Sequence, residues 1–112
     1  MIQEDFAKPQ DLSADGEKAY AIIEEWRTKR GYNFTGGCPL YKSPKEWEDR
    51  GEEYGTDSVL VLVHDGGDFS CHETSSGLSV LEESENLRVK LAAAGFYLEA
   101  CTVWYHAVYK DT

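Results

Sequence analysis

Between His64 and Glu73 the chain places His64, Asp65, Asp68, Cys71, His72 and Glu73 close together. Imidazole, carboxylate and thiolate are the ordinary donors to zinc and iron, so one reading of the stretch is a metal-dependent site built from His64, Asp65, Asp68 and Cys71. Gly66 and Gly67 decide whether the donors can meet. If they form a two-residue hairpin turn, Asp65 pairs with Asp68 and His64 with Phe69, so His64 and Cys71 share one face and His72 falls on the other. Only a bulge or a different loop length would gather both histidines, and a one-residue slip would also turn every apolar side chain of the strand over. The plainer reading is a hairpin whose tip is polar because Asp and Gly suit tight turns.

Nucleophilic chemistry has less to work with. Cys71 and His72 are strand neighbours that point to opposite faces, and Cys101 can meet His106 only if the last segment folds back on itself. No G-x-S-x-G, P-loop or G-x-G-x-x-G run is present, and Gly36-Gly37-Cys38 matches a phosphate-cradling turn only loosely. No cofactor is expected. A third constellation is aromatic: Tyr32, Phe34, Trp104 and Tyr105 could line a pocket for a small molecule.

The other dense cluster is anionic. Glu46, Glu48, Asp49, Glu52, Glu53 and Asp57 lie within twelve residues, bracketed by Tyr41, Trp47 and Tyr54. If a helix continues through Gly51, Glu46, Asp49 and Glu53 fall on one face and could imitate a row of phosphates. Like charges at those spacings cost local stability, so the row is either a tolerated solvated face or one kept for a partner that neutralises it. Trp47 and Tyr54 admit two readings as well: interface anchors, or large rings that fasten a short helix to the core.

Composition gives that cluster its setting. In 112 residues there are 21 acids and 11 bases, a formal charge of −10. Such a surface repels phosphate backbones and attracts basic proteins in a salt-sensitive way, which disfavours direct nucleic-acid binding. Many acidic domains are merely soluble, and that remains the bland alternative. The length suits one domain, and hydrophobic residues at 41% with charged residues at 29% are ordinary globular usage. No apolar run approaches the ~18 residues that span a bilayer. The first ten residues show no basic segment followed by an apolar stretch, so a cytoplasmic location is expected. Cys38, Cys71 and Cys101 form no CxxC pair and are expected as reduced, partly buried thiols.

The elements that must position these residues can be read locally. Residues 1–12 form a loose arm with Phe6 and Leu12 as its tacking points, and 13–112 form the domain. Ser13 caps a helix over Ala14 to Arg30, with Ala19, Ile22, Ile23 and Trp26 at helical spacing and Gly31 as its stop. Tyr32 to Phe34 is a short strand candidate. Ser43-Pro44-Lys45-Glu46 combines a cap, a first-position proline and a capping-box glutamate, and so predicts a short helix to about Arg50. Ser58 to His64 is a central strand covered on both faces, followed by a hairpin partner over Phe69 to Glu73. A third helix runs from Leu78 or Ser79 to Ala94, stopped by Gly95, and the segment Phe96 to Tyr109 reads as two strands broken near Cys101-Thr102. The sum is an α+β fold: an antiparallel sheet of four or five strands with two longer helices and one short helix packed mainly on one face.

Phe34-Thr35-Gly36-Gly37-Cys38, Trp47, Arg50-Gly51-Glu52-Glu53-Tyr54-Gly55, Asp65-Gly66-Gly67-Asp68 and Trp104-Tyr105 resemble the pattern of a group of small uncharacterised acidic proteins of phages, prophages and plasmids. The resemblance implies a genetic setting in which short acidic proteins often inhibit host defence or act as antitoxins, in the cytoplasm of the host where a phage carries them. The expectation is therefore a non-catalytic inhibitor that covers a basic, nucleic-acid-facing surface of a partner protein, as anti-CRISPR, anti-restriction or immunity proteins do. Glu46, Asp49, Glu52, Glu53 and Asp57 would steer the encounter, and Trp47 and Tyr54 would anchor it. The alternative is a small metal-dependent enzyme using the 64–73 hairpin, or a small-molecule binding module.

Overall fold

The computed structural model describes residues 6–31, 40–52, 54–63, 85–100 and 105–111. Its first helix, α1 (Ala14–Arg30), begins where a hydroxyl can take up an orphan amide: Ser13 Oγ accepts from the Gly16 N–H at 3.1 Å. It ends at Gly31, whose φ of 75° is open to glycine at little cost and lets its N–H return to the Arg27 and Thr28 carbonyls. Asp15 and Glu17 sit in the first turn and Arg27, Lys29 and Arg30 in the last, each set matching the sign of the helix end beside it.

The second helix, α2 (Pro44–Asp49), opens on Ser43, whose Oγ accepts from the Glu46 N–H at 3.1 Å. It closes at Arg50, and Gly51 at φ 84° turns the chain away. The helix thus ends near Arg50 as expected, and the continuation through Gly51 on which a single face for Glu46, Asp49 and Glu53 depended does not form. Helix α3 (Glu85–Ala93) carries Leu87 and Leu91 into the core. The part of the expected third helix before Glu85 lies outside the described residues, as do the strand candidate at 32–34 and the hairpin partner at 69–73.

Four strands, β1 (Tyr41–Lys42), β2 (Leu60–Val63), β3 (Phe96–Ala100) and β4 (Tyr105–Lys110), form an antiparallel sheet in the order β1-β2-β4-β3. The break expected in the last segment is real, because β3 folds back on β4 with Leu98 opposite Val108. All four residues of β2 are buried, as an uninterrupted β-branched and leucine run requires when both faces are covered.

Register sorts the two faces. Leu60 pairs with Val108 and Tyr41 with Leu62, and these side chains meet Ala19, Ile23 and Trp26 of α1 and Leu87 and Leu91 of α3 in the main core. Val61 and Val63 point the other way, where Trp47 of α2 and Tyr105 close a second, smaller cluster. Thus the two longer helices share one face of the sheet, while α2 covers part of the opposite one. Phe6 joins the main core and Leu12 packs against it, so the arm is fastened from Phe6 onward. The Arg27 guanidinium lies 3.6 Å from the centre of the Phe6 ring, and Tyr20 Oη donates to the Phe6 carbonyl at 2.8 Å.

One glycine sets how closely α1 approaches the sheet. A Cβ added at Gly16 would stand 2.5 Å from the Val59 carbonyl oxygen and 3.2 Å from Leu12 Cβ. Gly16→Ala is expected to destabilise the fold by about 2 kcal/mol, because pushing a methyl group into backbone outweighs the ~1 kcal/mol by which alanine favours a helix over glycine. The urea midpoint should fall with the m-value unchanged. A raised midpoint would mean that α1 can lift from Val59 freely.

Candidate functional site

The anionic segment is held to the sheet from beneath. Trp47 is fully buried, with its ring edge-on to Tyr105 at 4.9 Å and 72° and packed in the same cluster as Val61 and Val63. Arg50 lays its guanidinium 4.5 Å from the Trp47 ring, and Tyr105 Oη donates to the Tyr54 carbonyl at 3.1 Å. Trp47 is consequently no exposed anchor. Its indole faces the sheet because a six-residue helix has one large side chain with which to bury area, and burying it fixes the orientation of everything around it.

That orientation turns carboxylates outward. Glu46, Glu48, Asp49 and Asp57 are exposed, Glu52 is half-buried, and residue 53 lies outside the described residues. Tyr54 is 52% exposed and is the aromatic ring of this segment that solvent reaches. Glu46 pairs with Lys42 at 3.2 Å and Glu52 with Arg50 at 3.3 Å. Glu48, Asp49 and Asp57 form no ion pair with any described residue.

The carboxylates of α1 behave differently. Asp15 is paired with Lys110 at 3.4 Å, Glu17 with Lys8 at 2.9 Å, and Glu24 with Arg27 at 2.7 Å. Glu25 takes both Lys29 at 3.2 Å and Lys90 at 3.1 Å, and hydrogen bonds from these two ammonium groups hold it below the usual carboxylate range. The acids of α1 are thus neutralised within the fold, whereas Glu48, Asp49 and Asp57 find no counter-ion among the described residues. Asp11, Glu85 and Asp111 are likewise without an ion pair among the described residues; Asp11 and Asp111 have no acidic neighbour in the sequence, while Glu85 follows Glu82 and Glu83.

The remaining sequence candidates separate. His64, Asp65, Asp68 and Cys71 lie outside the described residues, and no group of metal donors forms among those that are described. Tyr32, Phe34 and Trp104 lie outside them too, while Tyr105 is interior against Trp47. His106 is buried on the face of the main core, and burial alone pushes it from 6.5 down to about 4, so its imidazole is neutral at ordinary pH. No helix among the described residues is long and apolar enough to cross a membrane.

Sequence reasoning missed one polar cluster. Arg27 donates from Nε and Nη2 to the two oxygens of Glu24 at 2.7 and 2.8 Å, and Tyr41 Oη donates to Glu24 Oε2 at 2.7 Å. Burial, and then the Glu24 carboxylate, raise the Tyr41 phenol well above its ordinary range, while the Tyr20 ring meets Tyr41 edge-on at 4.6 Å. The cluster ties β1 and Phe6 to α1 through a doubly bonded charge pair, which is a fastening role. The i,i+3 spacing of Glu24 and Arg27 was the available signal, but Tyr41 reaches them only through the fold.

Comparison with protein-family models, with curated proteins and with solved structures gives no match.

Proposed function

We propose that the chain is a non-catalytic, acidic protein-binding inhibitor that docks on a basic, nucleic-acid-facing surface of a partner protein. The reading rests on one observation: Glu48, Asp49 and Asp57 stand outward without counter-ions among the described residues on a segment fixed by a buried indole, whereas the acids of α1 are paired. Pre-placed carboxylates of one sign raise the encounter rate with a cationic surface and bias it against anionic ones. Tyr54 supplies the exposed ring beside them, taking the anchor role that Trp47 cannot fill. Phage-encoded inhibitors of defence systems and antitoxins are the classes of protein that use such a surface.

The test separates a defined patch from overall charge. Reversal of Glu48, Asp49 and Asp57 to lysine is expected to weaken capture of the partner from a host lysate at least about 10-fold, and raised salt should do the same to the native chain. Reversal of Asp15, Glu17 and Glu25 changes net charge by the same amount and should leave capture nearly intact. Equal losses from both sets, or capture indifferent to salt, would refute the reading.

A further inference from the structure

A second surface lies at the edge of the sheet formed by β3. Asp111 donates its N–H to the Gly95 carbonyl at 2.7 Å, so in this antiparallel ladder Gly95, Tyr97 and Glu99 turn their backbone groups toward β4. Phe96, Leu98 and Ala100 therefore turn theirs outward. Neither Phe96 nor Leu98 finds a hydrogen-bond partner for these groups among the described residues, and among those residues β3 is the last strand in the order β1-β2-β4-β3. Beside this edge runs an open groove of about 580 Å³ lined by Glu85, Arg88, Val89, Ala92, Tyr97 and Leu98. Among the described residues the exposed large hydrophobic side chains are Tyr54, Val89 and Tyr97, and two of those three stand at this groove.

We propose that a second copy of this chain docks here, pairing β3 with β3 antiparallel about a two-fold axis at Leu98 and joining the two sheets into one. The register follows from the edge itself. Centring on Leu98 sets Phe96 opposite Ala100 and Tyr97 opposite Glu99, overlaps all five residues of the strand, and lets the outward groups of Leu98 bond to their own symmetry mates. Centring on Glu99 would place two carboxylates face to face. The groove charges are self-complementary as well: Glu85 and Arg88 offer one acid and one base, so two-fold docking can match unlike charges here on a chain of −10. A strand from another protein would use the same edge, but it would not be drawn by this pairing of the groove with itself.

This inference is independent of the proposed docking on a basic partner, and salt tells the two apart. Two chains of −10 repel, so screening should tighten self-association while it loosens binding to a basic protein. Sedimentation equilibrium of the full chain is expected to show a monomer–dimer equilibrium that shifts toward dimer at high salt. Leu98→Pro removes an outward N–H and leaves the ladder to β4 intact, and Val89→Glu adds a charge to a residue that is 60% exposed. Each should raise the dimer dissociation constant at least about 10-fold. Because Val89 is mostly in solvent, its variant keeps the test valid even if proline at 98 disturbs folding. A chain that stays monomeric in high salt up to about 1 mM, or a dimer untouched by Val89→Glu, would overturn the proposal.

Discussion

Replacing Trp47 with alanine is expected to destabilise the fold by about 3–5 kcal/mol, the usual cost of deleting a large buried ring. The indole is fully buried between Val61, Val63 and Tyr105 on a sheet face that α2 covers with no other large side chain, so the cavity has little with which to refill. The loss also strikes the Tyr105 ring contact and the Arg50 guanidinium that lies 4.5 Å from the indole ring. Urea unfolding of Trp47→Ala against the native chain measures it. Tyr54→Ala makes the contrast: its ring is half in solvent and, among the described residues, only its carbonyl is hydrogen-bonded, so stability should move by less than about 1 kcal/mol while partner capture falls. Were Trp47→Ala to leave stability unchanged and abolish capture, the indole would be an interface residue and the account of α2 given above would be wrong.

How far the sequence reaches is visible in α2 itself. Ser43, Pro44 and Glu46 marked its start because capping is local chemistry: a hydroxyl, a fixed φ and an amide three residues on. Gly51 marked its end in the same local way, and the chain leaves the helix there at φ 84°, so the single face for Glu46, Asp49 and Glu53 that needed a helix through Gly51 does not form. A left-handed glycine outweighs a spacing pattern that has no packing to support it. Likewise α1 was legible from Ser13 to Gly31, and β2 from its apolar run, because each carries its own signal of cap, stop or burial on both faces.

What the sequence left open depends on long-range pairing. That Trp47 goes to the opposite face from Trp26 follows from the register of β2 against β4, which places Val61 and Val63 away from the main core. Neither tryptophan's neighbours announce this. The partnering of the carboxylates was equally hidden: Glu25 meets Lys90 across 65 positions and Asp15 meets Lys110 across nearly the whole chain. Counting charges along the sequence therefore identified the 46–57 cluster but could not separate neutralised acids from outward ones. The Glu24, Arg27 and Tyr41 fastening was invisible for the same reason.

His106 carries the second large expected effect, a loss of stability in mild acid. Its imidazole is buried in the main-core face and pushed from 6.5 down to about 4 by desolvation. Between those two values the unfolded chain takes up a proton that the folded chain refuses, so the unfolded state binds more protons and gains as pH falls. Above about pH 6.5 neither state is charged at this residue and the effect is absent. By about pH 4 the loss reaches its limit of about 3 kcal/mol, and below that both states are protonated and it stops growing. Paired carboxylates such as Glu25 also lose stabilisation as they protonate, which adds an acid loss of its own at the low end. His106→Leu isolates the imidazole, because that carboxylate contribution is common to both chains. Urea midpoints at pH 7 and pH 4.5 should fall markedly for the native chain and much less for the variant; equal falls would place the acid sensitivity in the carboxylates alone.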